Sequence, residues 1–316
     1  MTFRALIKRS VALTCAYYLH DDWRARRRLA AGRLETGSGA RHYGLDIAAS
    51  LRYVERVYGD YLAYGGVTHF SGSVAEIGPG DSFAVALRIL GAGAGHVHAI
   101  DRWVSRRDAE AQRRIYSALS ERHGLGHLFE GVPAEETIKN LTYHAGEPAE
   151  AFFHDSGLRF DAILSRAVME HLYDPLAALD GMERSLKPGG IMIHRIDLRD
   201  HGMFSGHHPL TLLTVGDGLH RRMTRGAGRP NRVLIGAYRE WLQHSGMSGG
   251  ITISRLAGVS EEFDPAAWAQ LDNGAKLRAL ECVRAIRPRL SEKFKAMADE
   301  DLAVAGLVLV ARRSSA

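Results

Sequence analysis

The chain has 316 residues, 46% of them hydrophobic, and a formal net charge of +5. That is ample for a real core and long for one minimal domain, so it fits one enlarged α/β domain or a core domain with a helical addition. The mild basic excess suits a nucleic acid, an anionic membrane surface, an anionic substrate or merely a solvated surface, and it chooses among none of them. The two cysteines, Cys15 and Cys282, stand far apart, with no CxxC and no Cys/His metal spacing. A disulfide scaffold or zinc site is therefore not expected, and a reduced, cytoplasmic setting is.

The N-terminal segment has a basic start and a short apolar stretch, 11–19, too short to span a bilayer. No small-x-small cleavage site follows, so a signal peptide is not expected. Basic residues beside Phe3, Leu6 and Ile7 fit either an amphipathic helix on a membrane surface or a helix packed on its own domain. Residues 2–67 read as helical, with a break at "ETGSGARHYG" (35–44) that reads as a turn or mobile loop. After the break Leu51, Val54, Val57, Tyr58, Tyr61, Leu62 and Tyr64 recur at helical spacing. Those tyrosines fit a helix laid on the core, or Tyr61 or Tyr64 closing over a ligand; Tyr64 is taken as a substrate contact.

From Val74 the rhythm changes to strand, glycine turn, helix. Strands are expected at 74–77, 97–100, 141–144, 162–165, 191–196, 251–257 and 304–311, with helices at 82–90, 107–123 and 175–185. This alternation predicts an α/β fold with a doubly wound, mostly parallel, seven-stranded Rossmann-like sheet. The last strand is expected to enter antiparallel at the edge. Two segments break the repeat: 197–234, rich in His, Arg and Gly and read as a substrate lid, and 264–299, read as a helical insertion. The expected organisation is a helical extension or lid over 1–70 and the main domain over 71–316.

In such sheets ligands sit at the carboxyl ends of the strands, near the topological switch point. The first strand supplies Glu76 and then Gly78-Pro79-Gly80-Asp81-Ser82, and the second ends at Asp101. An acid there can accept both hydroxyls of a ribose. A dinucleotide would want GxGxxG, but the third glycine position is Phe83 and a proline separates the first two glycines. An acid ending the first strand, followed by GxG, suits S-adenosylmethionine better, because that acid can meet the cationic amino group.

"FDAILSRAVMEHLYDP" then reads as strand, loop and helix carrying Glu170-His171, and "MERSLKPGGIMIHRID" as helix end, turn and fifth strand. At this point the chain resembles the class I S-adenosylmethionine-dependent methyltransferases. The matching residues are Glu76 to Gly80, Asp101, Ser165 to Leu172 and Leu186-Lys187-Pro188-Gly189-Gly190. The likeness covers 74–197 well and 238–255 and 302–313 more loosely. It implies that Glu76, Gly78, Pro79, Gly80, Asp81 and Ser82 line the methionine half, that Asp101 holds the ribose, and that Arg102 and Trp103 flank the adenosine. It further implies an acid near the adenine amine, for which Glu147 is the nearest candidate, and a floor of Ser165, Arg166 and Ala167 under the sulfonium. "HRIDLRDHGMF" and "NRVLIGAYREWLQHSGM" also resemble bacterial methyltransferases met among genes for polysaccharide or secondary-metabolite assembly, which implies a small-molecule or glycan-type acceptor.

Methyl transfer is an in-line displacement in which the protein mainly aligns the nucleophile and removes water. A hydroxyl acceptor needs a general base, whereas a carboxylate or phosphate oxygen does not. The candidates are Asp197 and His201, then Asp200 and His171, with transfer to oxygen favoured. Arg199, Asn231 and Arg232 are candidates for an anionic acceptor, since the Arg fork suits carboxylate or phosphate. A divalent metal among Asp197, Asp200, His201, His207 and His208 is the alternative, but no tight ligand spacing supports it and no metal is expected. Three other readings stay open: an RNA methyltransferase using the basic stretch "WRARRRLAAGR" (23–33), a nicotinamide-dependent dehydrogenase, and a non-catalytic binding protein. Nucleic acid is the less favoured partner, and peripheral membrane contact rests on the N-terminal helix alone.

Overall fold

The computed structural model describes residues 9–36, 39 and 41–315. Phe3, Leu6 and Ile7, on which the membrane-surface reading rests, lie outside the described residues. Among the described residues no helix is long and apolar enough to cross a membrane.

One sheet carries the fold. Its strands in chain order are β1 (Gly72–Ile77), β2 (Ala94–Asp101), β3 (Leu141–Ala145), β4 (Phe160–Arg166), β5 (Leu186–Asp197), β6 (Ser248–Leu256) and β7 (Val304–Arg312). In space they run β3-β2-β1-β4-β5-β7-β6. The first five are parallel, and β7 is antiparallel to both β5 and β6. The last strand is thus not at the edge, as the sequence suggested, but wedged between its neighbours. Its run from Val304 to Leu309 is wholly buried, the composition of an inner strand, while β6 begins with exposed Ser248, Gly249 and Gly250. The order reverses between β1 and β4, so a crevice opens at their carboxyl ends.

Helices cover both faces because successive strand residues point to opposite sides. They are α1 (Val11–Ala30), α2 (Ile47–Gly65), α3 (Ala84–Gly91), α4 (Ala109–His123), α5 (Ala149–Asp155), α6 (Pro175–Ser185), α7 (Asp217–Thr224), α8 (Ile235–His244) and α9 (Asn273–Ile286). Val74, Ile191 and Ile193 face Val54, Tyr61, Leu87 and Tyr116 of α2, α3 and α4. Ala75, Ile77, Met192 and Ile196 face Phe152, Met182, Tyr238 and Val283 of α5, α6, α8 and α9. Helix α5 escapes sequence reading because it has only seven residues, too few to show a period. The segment 264–299 is helical mainly in α9.

The described residues of the break at 35–44 act as a strap. Glu35 and Thr36 pair in parallel with Val104 and Ser105, and the Asp81 carboxylate accepts the backbone N–H groups of Arg41, His42 and Tyr43. Helix α1 packs Cys15 and Tyr18 against Met203, Phe204, Leu212, Val215 and Met223, so the N-terminal helix and the segment after β5 share one small core. Asp22 of α1 is buried, and its carboxylate accepts the N–H groups of Gly226 and Ala227 and the Arg26 Nε–H. Asp22→Ala would strand two backbone donors in a covered site, a loss of about 2 kcal/mol. The urea midpoint is expected to fall accordingly; an unchanged midpoint would mean that α1 is not anchored there.

Candidate functional site

The chain leaves β1 through Gly78 and Gly80, both at positive φ (72° and 69°). A Cβ on Gly78 would stand 2.4 Å from Val168 Cγ2, and one on Gly80 would stand 2.7 Å from the Gly39 carbonyl oxygen. Glycine is therefore required at both for conformation and for close approach. Two cavities meet over this turn and share Gly39, Gly78, Gly80 and Ala167 in their walls. One, of about 150 Å³, is lined by Asp101, Arg102, Trp103, Glu147, Val168 and His171. The other, of about 180 Å³, is lined by Tyr61, Glu76, Pro79, Asp81, Ser82 and Arg166.

Two acids define the electrostatics of this cleft. Glu76 is buried, its Oε2 has no hydrogen-bond partner among the described residues, and burial pushes its pKa up to about 8. Burial pushes Asp101 up to about 7, against the opposing Trp103 N–H and Arg107. Each carboxyl is thus held short of the charge that an opposite charge or hydrogen-bond donors in the cleft would restore.

The other sequence candidates divide. Arg102 lies over the Tyr173 ring at 3.7 Å and lines the first cavity beside exposed Glu147. Arg166 pairs with Asp60 and lines the second cavity, whereas Ala167, at a positive φ of 55°, lines both. Asp81 lines the second cavity, but its oxygens are engaged by the strap. The Ser82 hydroxyl accepts the Ala84 N–H. Ser165 is fully buried and bonds His194 Nδ1 at 2.8 Å, so it is not part of a floor. Tyr61, not Tyr64, reaches the cleft; Tyr64 sits by Asp60 and Arg195. Gly39, Tyr53, Ala227 and Gly228 also line the cavities and were missed. Only the glycine-rich composition of "ETGSGARHYG" and "TRGAGRP" signals Gly39, Ala227 and Gly228, and no local signal marks Tyr53 on α2.

Two acceptor candidates are corrected. Asn231 donates from Nδ2 to the Met169 and Leu172 carbonyls and accepts the Val233 N–H, so it brackets the turn that carries Glu170 and His171. Arg232 is buried and committed to the Leu212 and Val215 carbonyls and to Asp217. Asn231 spends both its amide N–H donors on the backbone, and Arg232 spends three of its five N–H donors on internal partners, so both act first as internal ties. The basic face at 23–33 is exposed on α1, with Arg27 over the Trp23 ring at 4.7 Å, and lines neither cavity.

The end of β5 builds a second cluster. The turn Met169–His171 is a single 3-10 turn rather than a helix. His201 Nε2 stands 3.6 Å from Glu170 Oε1 and 3.7 Å from Asp197 Oδ2. The His171 and His201 rings meet edge to face with centroids 4.8 Å apart. His171 Nδ1–H donates to the Gly228 carbonyl at 2.8 Å, which leaves Nε2 as the acceptor. Burial, then His201, pulls His171 down to about 4, and burial lowers His201. Burial opposes ionisation of Asp197, yet the Arg199 fork outweighs it and holds the carboxyl below its ordinary value. Glu170 is buried, neither of its oxygens has a hydrogen-bond partner among the described residues, and burial holds its pKa well above the usual range. His201 takes φ 50°, one of three non-glycine residues at positive φ among those described, and such strain gathers at functional sites. Asp200 instead folds its loop by accepting the Gly202 and Phe204 N–H groups, and His208 contacts Cys282, so the wider metal set is not assembled.

Residues 50–249 match the family described as Methyltransferase domain. The chain belongs to that family. A Cereibacter sphaeroides protein named ubiquinone biosynthesis O-methyltransferase is 53% identical over 38 residues, which is 12% of this chain and 15% of that one. A second from another strain is 50% identical over the same share. Among solved structures, a putative sarcosine dimethylglycine methyltransferase from Galdieria sulphuraria is 17% identical, covering 96% of this chain and 98% of that one at a TM-score of 0.44. The N-methyltransferase NodS from Bradyrhizobium japonicum, solved with S-adenosylhomocysteine, is 14% identical, covering 87% and 96% at 0.41.

The cofactor of this methyltransferase family, S-adenosylmethionine, fits the chemistry of the cleft. Glu76 would face the methionine ammonium and Asp101 the ribose hydroxyls. A diphosphate placed over the same turn would meet the Glu76 carboxyl instead of donors, which argues against a nicotinamide dinucleotide. Hydroxyl donors favour ionised Asp101, so S-adenosylhomocysteine affinity is expected to weaken as the pH falls through about 7. Asp101→Ala should flatten that limb and weaken binding at least tenfold, about 1.4 kcal/mol, by calorimetry. Unchanged affinity would mean that another group holds the ribose.

Proposed function

We propose that this chain methylates an oxygen of a small-molecule or glycan-type acceptor, with S-adenosylmethionine as donor. When bound, the cofactor supplies an electrophilic methyl group on a sulfonium. The observation that carries the reading is His201, poised between Glu170 and Asp197 at the end of β5. A hydroxyl acceptor requires a group to take its proton. His201, with its pKa held below the ordinary value of about 6.5, is neutral at pH 7 and takes that proton. The charge formed on the ring then faces Asp197, which the Arg199 fork keeps ionised. His171, fixed by Gly228, keeps the ring of His201 in place by its edge-to-face contact. The short likeness to O-methyltransferases supports the same acceptor atom.

The test is S-adenosylhomocysteine release on adding the small-molecule fraction of a cell extract. kcat/KM should climb with pH through a midpoint below about 6.5 and then level, since only the unprotonated ring accepts. His201→Gln should remove that limb and lower turnover about a hundredfold or more, with cofactor affinity retained. Full turnover in the variant would mean that the acceptor needs no base.

A further inference from the structure

Beyond the cleft, where β4, β5 and β6 end, lies a cavity of about 330 Å³. Arg41, Arg56, Arg166, Arg195, Arg199 and Arg255 stand in its walls. Three carboxylates answer them. Asp60 takes Arg166 and Arg195, Glu262 takes Arg195 and Arg255, and Asp197 takes Arg199. Arg41 lies over the Tyr53 ring at 5.0 Å, and neither it nor Arg56 has a carboxylate partner among the described residues. The cavity shares Arg41, Tyr53, Arg166 and Ala167 with the wall of the methionine half, so a ligand here would adjoin the point of methyl delivery.

We propose that this arginine-walled cavity binds a phosphoryl group of the acceptor, and so restricts the substrate class to phosphorylated small molecules or glycans. The inference rests on the methyltransferase reading above. Six guanidinium groups against three carboxylates leave three positive charges in formal excess. A monoanion would leave most of that excess in place, whereas a phosphate monoester or diphosphate matches it. The planar forks suit phosphate oxygens bidentately. The crowding is visible at Arg195, where burial, then Arg166, lowers the pKa below the usual value for arginine. The cofactor's own carboxylate has Arg41 and Arg166 within its half of the cleft, and this leaves for the acceptor Arg56, without a carboxylate partner among the described residues, and Arg255, which shares Glu262 with Arg195.

The experiment titrates inorganic pyrophosphate into protein saturated with S-adenosylhomocysteine, for wild type, Arg56→Gln and Arg255→Gln. Wild type should bind and each variant should bind at least tenfold more weakly, with S-adenosylhomocysteine affinity and thermal midpoint unchanged. Sedimentation with phosphatidylglycerol vesicles then separates sources: Arg-dependent capture points to a lipid-linked phosphate, and protein left in solution points to a soluble one. Pyrophosphate binding that is absent, or equal in wild type and variants, overturns the inference while S-adenosylhomocysteine binding stands. Failure of S-adenosylhomocysteine to bind overturns the methyltransferase reading itself.

Discussion

Two carboxyl groups, buried Glu76 and half-buried Asp101, at the ends of adjacent parallel strands set the conditions for everything around them. Glu76 and Asp101 sit where the sheet order reverses, and backbone geometry gives them no choice of place. Burial penalises their charge, and a ligand with a cation at one end and hydroxyls at the other relieves both. The glycine turn between them exists to let such a ligand approach. Its two glycines are fixed by neighbours, Val168 and Gly39, that belong to the next layer of the site.

That layer is tied to the N-terminal helix. Asp22 holds Gly226 and Ala227, the adjoining Gly228 carbonyl orients His171, and Asn231 clamps the turn that carries Glu170 and His171. A run of backbone and hydrogen-bond ties thus leads from α1 to the turn that carries Glu170 and His171. Placing these elements in one small core with Met203, Phe204 and Met223 makes α1 and the segment after β5 a single cover over the cleft rather than two independent flaps.

Much of this was legible in the sequence, for local reasons. A buried strand, an acid, a GxG turn and a helix follow one another within twenty-odd residues, so Glu76, Gly78, Gly80 and Asp101 needed no long-range information. What failed to show was long-range pairing. Asp81 looks like a cofactor ligand until the backbone of residues 41–43 folds onto it, and Asn231 and Arg232 look like acceptor contacts until the carbonyls they hold are in view. Tyr61 and Tyr64 are three residues apart on one helix, and only the packing of α2 decides which enters the cleft. The inner position of β7 was hidden for the same reason: an apolar run says that a strand is buried, not between which neighbours. Nor did any spacing reveal the arginine cavity, whose residues come from α2, β4, β5, β6, β7 and the loops beside them.

The central claim is that methyl is delivered to oxygen on a small acceptor. It is tested most directly by incubating the protein with S-adenosylmethionine carrying a ¹³C methyl group and an extract of its own cells, then reading the product by NMR after fractionation. The account predicts a methoxyl signal in the small-molecule or glycan fraction. A methyl signal on nitrogen, or label confined to RNA, would contradict it.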